Sequence, residues 1–149
     1  MLTEGRFLFK VVPMVIPSLL ITDDDAALRE TLGGIFQPRG FRVLLAGDGE
    51  EALRIVGSEE IHLVLLDIHM PRLSGLETLR RLRENQFRSP CILLSARWDD
   101  ALREQARLAE AFSVLSKPVS RMQLTMTVDH ALQRAYGWPA TWEGQRTDE

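Results

Sequence analysis

Along this chain apolar and polar positions follow two rhythms, short continuous apolar runs and longer stretches with one apolar stripe, and from Ser18 onward these alternate five times. Leu19-Leu20-Ile21-Thr22, Phe41–Ala46, Leu63–Leu66, Cys91–Ser95 and Ser113–Ser116 are the short runs. Runs of that length and composition predict strands, and the four apolar residues Leu63–Leu66 predict one buried on both faces. Between them, Ala26–Gln37 places Leu28, Leu32, Ile35 and Phe36 at helical spacing, and Pro38 with Gly40 stops it. Asp25 stands where an N-cap belongs. Glu50–Val56 predicts a short second helix after the Asp48-Gly49 turn, and Leu76–Arg83 a third with Leu76, Leu79 and Leu82 inward and Arg80, Arg81 and Arg83 outward. Trp98–Leu108 is the fourth. Ser120–Tyr136 is the fifth, with Leu124, Val128, Ala131, Leu132 and Ala135 inward and Gly137 as its stop. Five strand–helix units predict an α/β doubly wound domain with a mainly parallel sheet, because right-handed crossovers are the common solution.

Composition narrows this picture little. At 149 residues one such domain fills most of the chain and needs no disulfide or structural metal to be stable. A net charge of −3 gives no general reason to expect nucleic-acid binding, although arginine supplies nearly all the cations. Cys91 is the single cysteine, so an internal disulfide or a Cys-based zinc site is excluded, and its apolar setting predicts a buried inert thiol. The apolar stretch Phe7–Ile21 is broken by Lys10, Pro13 and Pro17 and ends in three aspartates, which fits neither a membrane span nor a signal peptide. A cytoplasmic protein without membrane contact is expected, with residues 1–17 as an N-terminal arm, Met14 as an alternative start, and 137–149 as a tail or linker start carrying Trp138 and Trp142.

Candidate chemistry sits at the strand ends. The run Leu63–Leu66 stops at Asp67, followed by Met70-Pro71 and Gly75; the first strand ends in Asp23-Asp24, the fourth in Ser95, the fifth at Lys117-Pro118. In open α/β sheets the carboxyl edge is where ligands bind. Carboxylates converging there repel by about 1–4 kcal/mol per close pair. A hard divalent cation relieves that cost, and oxygen donors with open water positions suit Mg²⁺. Carboxylate, cation and ammonium together are arranged for attack on phosphorus. The Ser95 hydroxyl could then hold the transferred group on Asp67. Singly these residues are ordinary: an Asp before Pro/Gly is a turn former, a Ser a helix cap, a Lys a solvated charge. Their joint placement makes the signal.

Together with Asp48-Gly49-Glu50-Glu51-Ala52-Leu53, the set Asp23-Asp24, Asp67 with Met70-Pro71 and Gly75, Ser95-Ala96 and Lys117-Pro118 resembles the receiver domain of bacterial two-component response regulators over residues 18–136. The resemblance implies a flavodoxin-like (βα)5 sheet of strand order 2-1-3-4-5 and transfer of a phosphoryl group from a histidine kinase's phosphohistidine to Asp67. It implies Mg²⁺ held by Asp24, Asp67 and the backbone carbonyl of His69, with Asp23 acting through water, and a cis peptide before Pro118. Implied partners are the kinase and a histidine phosphotransfer protein or downstream effector. The face of helix four, strand five and helix five commonly changes on phosphorylation in this family and often forms a homodimer. The module acts on itself, not on a diffusing substrate.

Several positions depart from the family pattern. Val114 stands where a switch aromatic is expected, with Phe112 two residues earlier on the same side as its substitute, and Glu110-Ala111 replaces a Gly-Ala pair. His69 and Arg97 occupy variable positions that in the family influence phosphoryl lifetime; the His69 side chain is expected to point outward and not to ligate metal, since His62 and His130 lie elsewhere. A receiver-like scaffold that signals by contact without phosphate is the competing reading. A haloacid-dehalogenase-type enzyme wants an acid where His69 stands. A flavodoxin-like cofactor binder is disfavoured because Asp23-Asp24-Asp25 would repel a cofactor phosphate.

Overall fold

The computed structural model describes residues 15–139, so Met14, Trp142 and most of the expected arm and tail lie outside the described residues. The elements are β1 (Ser18–Thr22), α1 (Ala26–Phe36), a 3₁₀ turn (Gln37–Arg39), β2 (Arg42–Ala46), α2 (Gly49–Ser58), β3 (Leu63–Asp67), α3 (Gly75–Glu84), β4 (Cys91–Ser95), α4 (Asp100–Leu108), β5 (Ser113–Ser116) and α5 (Arg121–Tyr136). The five strands form one sheet in the order β2-β1-β3-β4-β5, with every neighbouring pair parallel. This is the flavodoxin-like arrangement, and the strand order reverses beside β1 and β3, where a crevice opens at the carboxyl edge.

Strand alternation divides the core in two. Leu19, Ile21, Leu63, Leu65, Ile92, Leu94 and Leu115 face α1 and α5. Leu20, Val64, Leu66, Cys91 and Leu93 face α2, α3 and α4. β1, β3 and β4 are buried at every position, as their unbroken apolar runs require.

Helix starts follow local chemistry. Asp25, Asp48, Ser74, Asp99 and Ser120 each accept a hydrogen bond from a backbone N–H of the first turn. Gly137, at φ +70, closes α5 in the left-handed conformation that a residue with Cβ adopts reluctantly.

Three packing expectations are corrected. Ala135 is exposed, and Tyr136 anchors the end of α5 instead, its hydroxyl donating to the His62 carbonyl 2.8 Å away. Arg83 turns inward, donating to the carbonyls of Phe87, Ser89 and Glu110 at 2.8, 2.9 and 2.8 Å, and so ties together the loops between α3, β4 and β5. Phe112 and Val114 do not share a side. Phe112 lies before β5 begins, outside its alternation, and packs on the α1/α5 layer edge-on to His130, whereas Val114 faces α4.

Candidate functional site

Asp67 is the last residue of β3, and its register partner on β4 is Leu94, one residue before Ser95. Asp23 and Asp24 follow β1 directly, and Lys117 follows β5. Four loops therefore bring their polar residues to one edge of a sheet that is rigid beneath them. Asp23, Asp24 and Asp67 each present a carboxylate oxygen within 4.8 Å of the others. Asp23 and Asp67 are only 3% and 4% exposed, whereas Asp24 reaches solvent.

Lys117 joins them. Its Nζ lies 3.0 Å from Asp23 Oδ2 and 3.0 Å from Asp67 Oδ1. Burial, and then the charge of Asp23, push the Asp67 carboxyl above its ordinary value, although Lys117 and a hydrogen bond from the His69 backbone pull the other way. Burial opposes the Lys117 charge, but its hydrogen bonds to Asp67 and Asp23 outweigh it and hold the ammonium pKa above the usual value. Two buried carboxylates therefore face one ammonium, and the pocket is short of positive charge. The oxygen donors and the missing charge fit a hard divalent cation.

Local structure holds the pieces. Asp23 Oδ1 accepts the Asp25 N–H at 2.9 Å, and the Asp23 carbonyl accepts from Arg29 at 2.6 Å. Nothing in the local sequence marks Arg29 for this role, because its half-buried place beside Asp23 follows from packing. Gly75 sits against Asp67: a Cβ there would collide with the Asp67 carbonyl oxygen. The Lys117-Pro118 peptide is cis, as the resemblance implies.

Ser95 is fully buried, and its Oγ accepts the Arg97 backbone N–H at 3.0 Å. His69 does not simply point outward. Its ring is exposed on one side, yet Nε2 lies 2.9 Å from Ser95 Oγ, because the β3–α3 loop carries it over the pocket mouth. Arg97 is exposed at the rim. The side chains of Val114 and Phe112 pack into opposite layers, on either side of the sheet, and do not form a common device. Trp98, expected only as the start of a helix, donates its indole N–H to the Leu115 carbonyl at 2.8 Å and packs in the same layer as Val114. Leu115 lies on an edge strand, so this bond covers a backbone acceptor that no further strand pairs.

No described helix is long and apolar enough to cross a membrane. The family model for the response regulator receiver domain matches residues 19–129. The transcriptional activator protein PfeR of Pseudomonas aeruginosa is 42% identical over 118 residues, 79% of this chain and 38% of that protein. The response regulator MprA of Mycolicibacterium vanbaalenii is 38% identical over 116 residues, 78% of this chain and 50% of that protein. The chain thus spans half or less of these two relatives. Among solved structures, the receiver domain of a Francisella response regulator superposes with a TM-score of 0.76 at 28% identity, covering 80% of this chain and 98% of that one. The Vibrio cholerae chemotaxis protein CheY4 gives 0.75 at 23% identity, over 79% of this chain and 100% of that one, a likeness of fold. Fold, strand-end residues and sequence relatives agree, and the chain belongs to the response regulator receiver domain family of two-component signalling.

Proposed function

We propose that this receiver domain is a phosphorylated switch whose acceptor is Asp67, taking its phosphoryl group from the phosphohistidine of a histidine kinase. An Asp67 carboxylate oxygen attacks phosphorus, the P–N bond breaks, and the imidazole of the donor leaves with the electron pair. Hydrolysis reverses the state: water attacks phosphorus, the P–O bond to Asp67 breaks, and inorganic phosphate departs. Mg²⁺ is the cation that the donor set suits: Asp24, Asp67 and the His69 carbonyl would hold it, with Asp23 acting through water, and when bound it would neutralise charge on the transferring oxygens. Lys117 supplies a second positive charge beside Asp67, and in this reading the buried Ser95 hydroxyl donates to the transferred group. His69 and Arg97 at the rim set how readily water reaches it.

The observation that carries this reading is the shared Lys117 contact, 3.0 Å to each of two buried carboxylates from separate strands. A structural ion pair needs one partner; two buried acids against one base leave a net negative pocket that a phosphoryl donor meets only with a cation. An open apolar groove of about 400 Å³, lined by Leu28, Ile35, Pro118 and Val119, adjoins Lys117. The output goes to a downstream effector, either a protein partner or a domain beyond this chain.

Incubation with Mg²⁺ and acetyl phosphate, followed by intact mass, tests the reading. A phosphorylated species in the parent that disappears in Asp67→Asn supports it. An unmodified parent at saturating donor favours the contact-signalling scaffold, which Val114 at the switch position allows.

A further inference from the structure

Ser95 has one hydroxyl proton, and its surroundings decide where that proton goes. The residue is fully buried, so water does not take it. Arg97 N–H points at Oγ from 3.0 Å and occupies a lone pair. The other hydrogen-bond partner among the described residues is His69 Nε2 at 2.9 Å. A second N–H at that distance would leave the buried hydroxyl proton without an acceptor, which costs more than an exposed ring nitrogen facing water. The satisfied arrangement has Ser95 O–H donating to Nε2, with the imidazole proton on Nδ1 toward solvent.

We propose that His69 is a positioning residue that locks Ser95 in the resting state by accepting its only proton. The inference rests on the assignment of Asp67 as acceptor and deepens it. Ser95 cannot donate to a phosphoryl oxygen while it donates to His69, so capture of the phosphoryl group requires breaking the O–H···Nε2 bond. His69 therefore weakens retention of the phosphoryl group through Ser95, a route distinct from screening it against water at the rim. No change of charge on the imidazole is involved.

Beryllofluoride with Mg²⁺, a stable phosphoryl analogue, isolates this step from hydrolysis, and its affinity is read by calorimetry on the purified chain. His69→Ala binds the analogue about two- to tenfold more tightly than the parent, the worth of one net hydrogen bond. His69→Gln, whose amide oxygen reaches the place of Nε2, restores parental affinity. In a Ser95→Ala background the His69→Ala change has no effect, because the locked proton is gone. Equal affinity of His69→Ala and parent, or the same tightening with Ser95 removed, overturns the lock while leaving phospho-acceptance standing. Failure of the parent to bind the analogue, with no phosphorylation by acetyl phosphate, overturns both.

Discussion

Lys117 Nζ lies 3.0 Å from Asp67 Oδ1, and the same ammonium holds Asp23 at equal distance. One cation thus balances two acids that are almost completely buried, and removing it exposes their repulsion. Lys117→Met keeps the aliphatic stem and deletes the charge. It should lower stability at pH 7 by about 1–3 kcal/mol, below the value for a fully buried pair because the lysine is partly solvated. The raised ammonium pKa means its stabilising contribution is complete at pH 7 and is lost only as pH rises through that value in the folded protein. Urea denaturation in EDTA measures the loss, and Mg²⁺ should recover part of it. Unchanged stability would show that the pair repels less than the geometry requires.

Asp67→Asn should have the opposite sign. An acid whose folded pKa is raised contributes stability below its unfolded value near 3.8, and that contribution disappears as pH climbs through the folded value. At pH 7 the ionised carboxylate therefore works against the fold. Without divalent cations the asparagine variant is expected to melt a few degrees higher, on the order of 1 kcal/mol. The gap should close as pH falls toward 4, and Mg²⁺ should raise the midpoint of the parent more than that of the variant. A variant that melts lower at pH 7 in EDTA contradicts the assignment of burial as the dominant influence.

Gly75 and Gly57 make a matched pair. A methyl group at Gly75 meets the backbone carbonyl of Asp67, which no rotamer change relieves, whereas Gly57 on α2 has nothing within 4 Å of the added Cβ. Gly75→Ala should cost about 1–3 kcal/mol and slow phosphorylation by shifting Asp67. Gly57→Ala should be neutral or stabilising by up to about 1 kcal/mol. Chemical denaturation of both variants checks the contrast, and similar effects at the two sites would argue against it.

Cys91 should be silent toward thiol reagents in the native protein. Burial among β4, α3 and α4 residues pushes its pKa up to about 12, so almost no thiolate exists at neutral pH and none is accessible. Modification by a disulfide reagent should follow unfolding, accelerating in urea in step with the loss of structure. Rapid labelling without denaturant would place the thiol outside the core.

How much of this was legible beforehand depended on distance along the chain. Strand runs, helix stripes and N-caps are local patterns, and Asp25, Leu79 and Ser120 could be placed because their neighbours within four residues decide their environment. Helix ends shifted by a residue or two, since fraying and the 3₁₀ turn at Gln37–Arg39 leave no sharp local mark. Arg83 misled because an arginine on a helix face is ordinarily solvated, and the three carbonyls it satisfies come from loops that only packing brings near. Phe112 misled because alternation holds inside a strand and fails one residue before it begins.

Burial periodicity and chain direction settle, from the residues alone, that five strand–helix units form one parallel sheet and that acids, a serine and a lysine fall at strand ends. Which of these groups touch is set by packing across the sheet. Lys117 and Asp23 are 94 positions apart, and their 3.0 Å contact follows from the order in which strands cross the sheet, with β1 and β3 side by side at its centre. The turn of the His69 ring toward Ser95 is likewise a property of two loops meeting over a fixed edge, which no local pattern encodes.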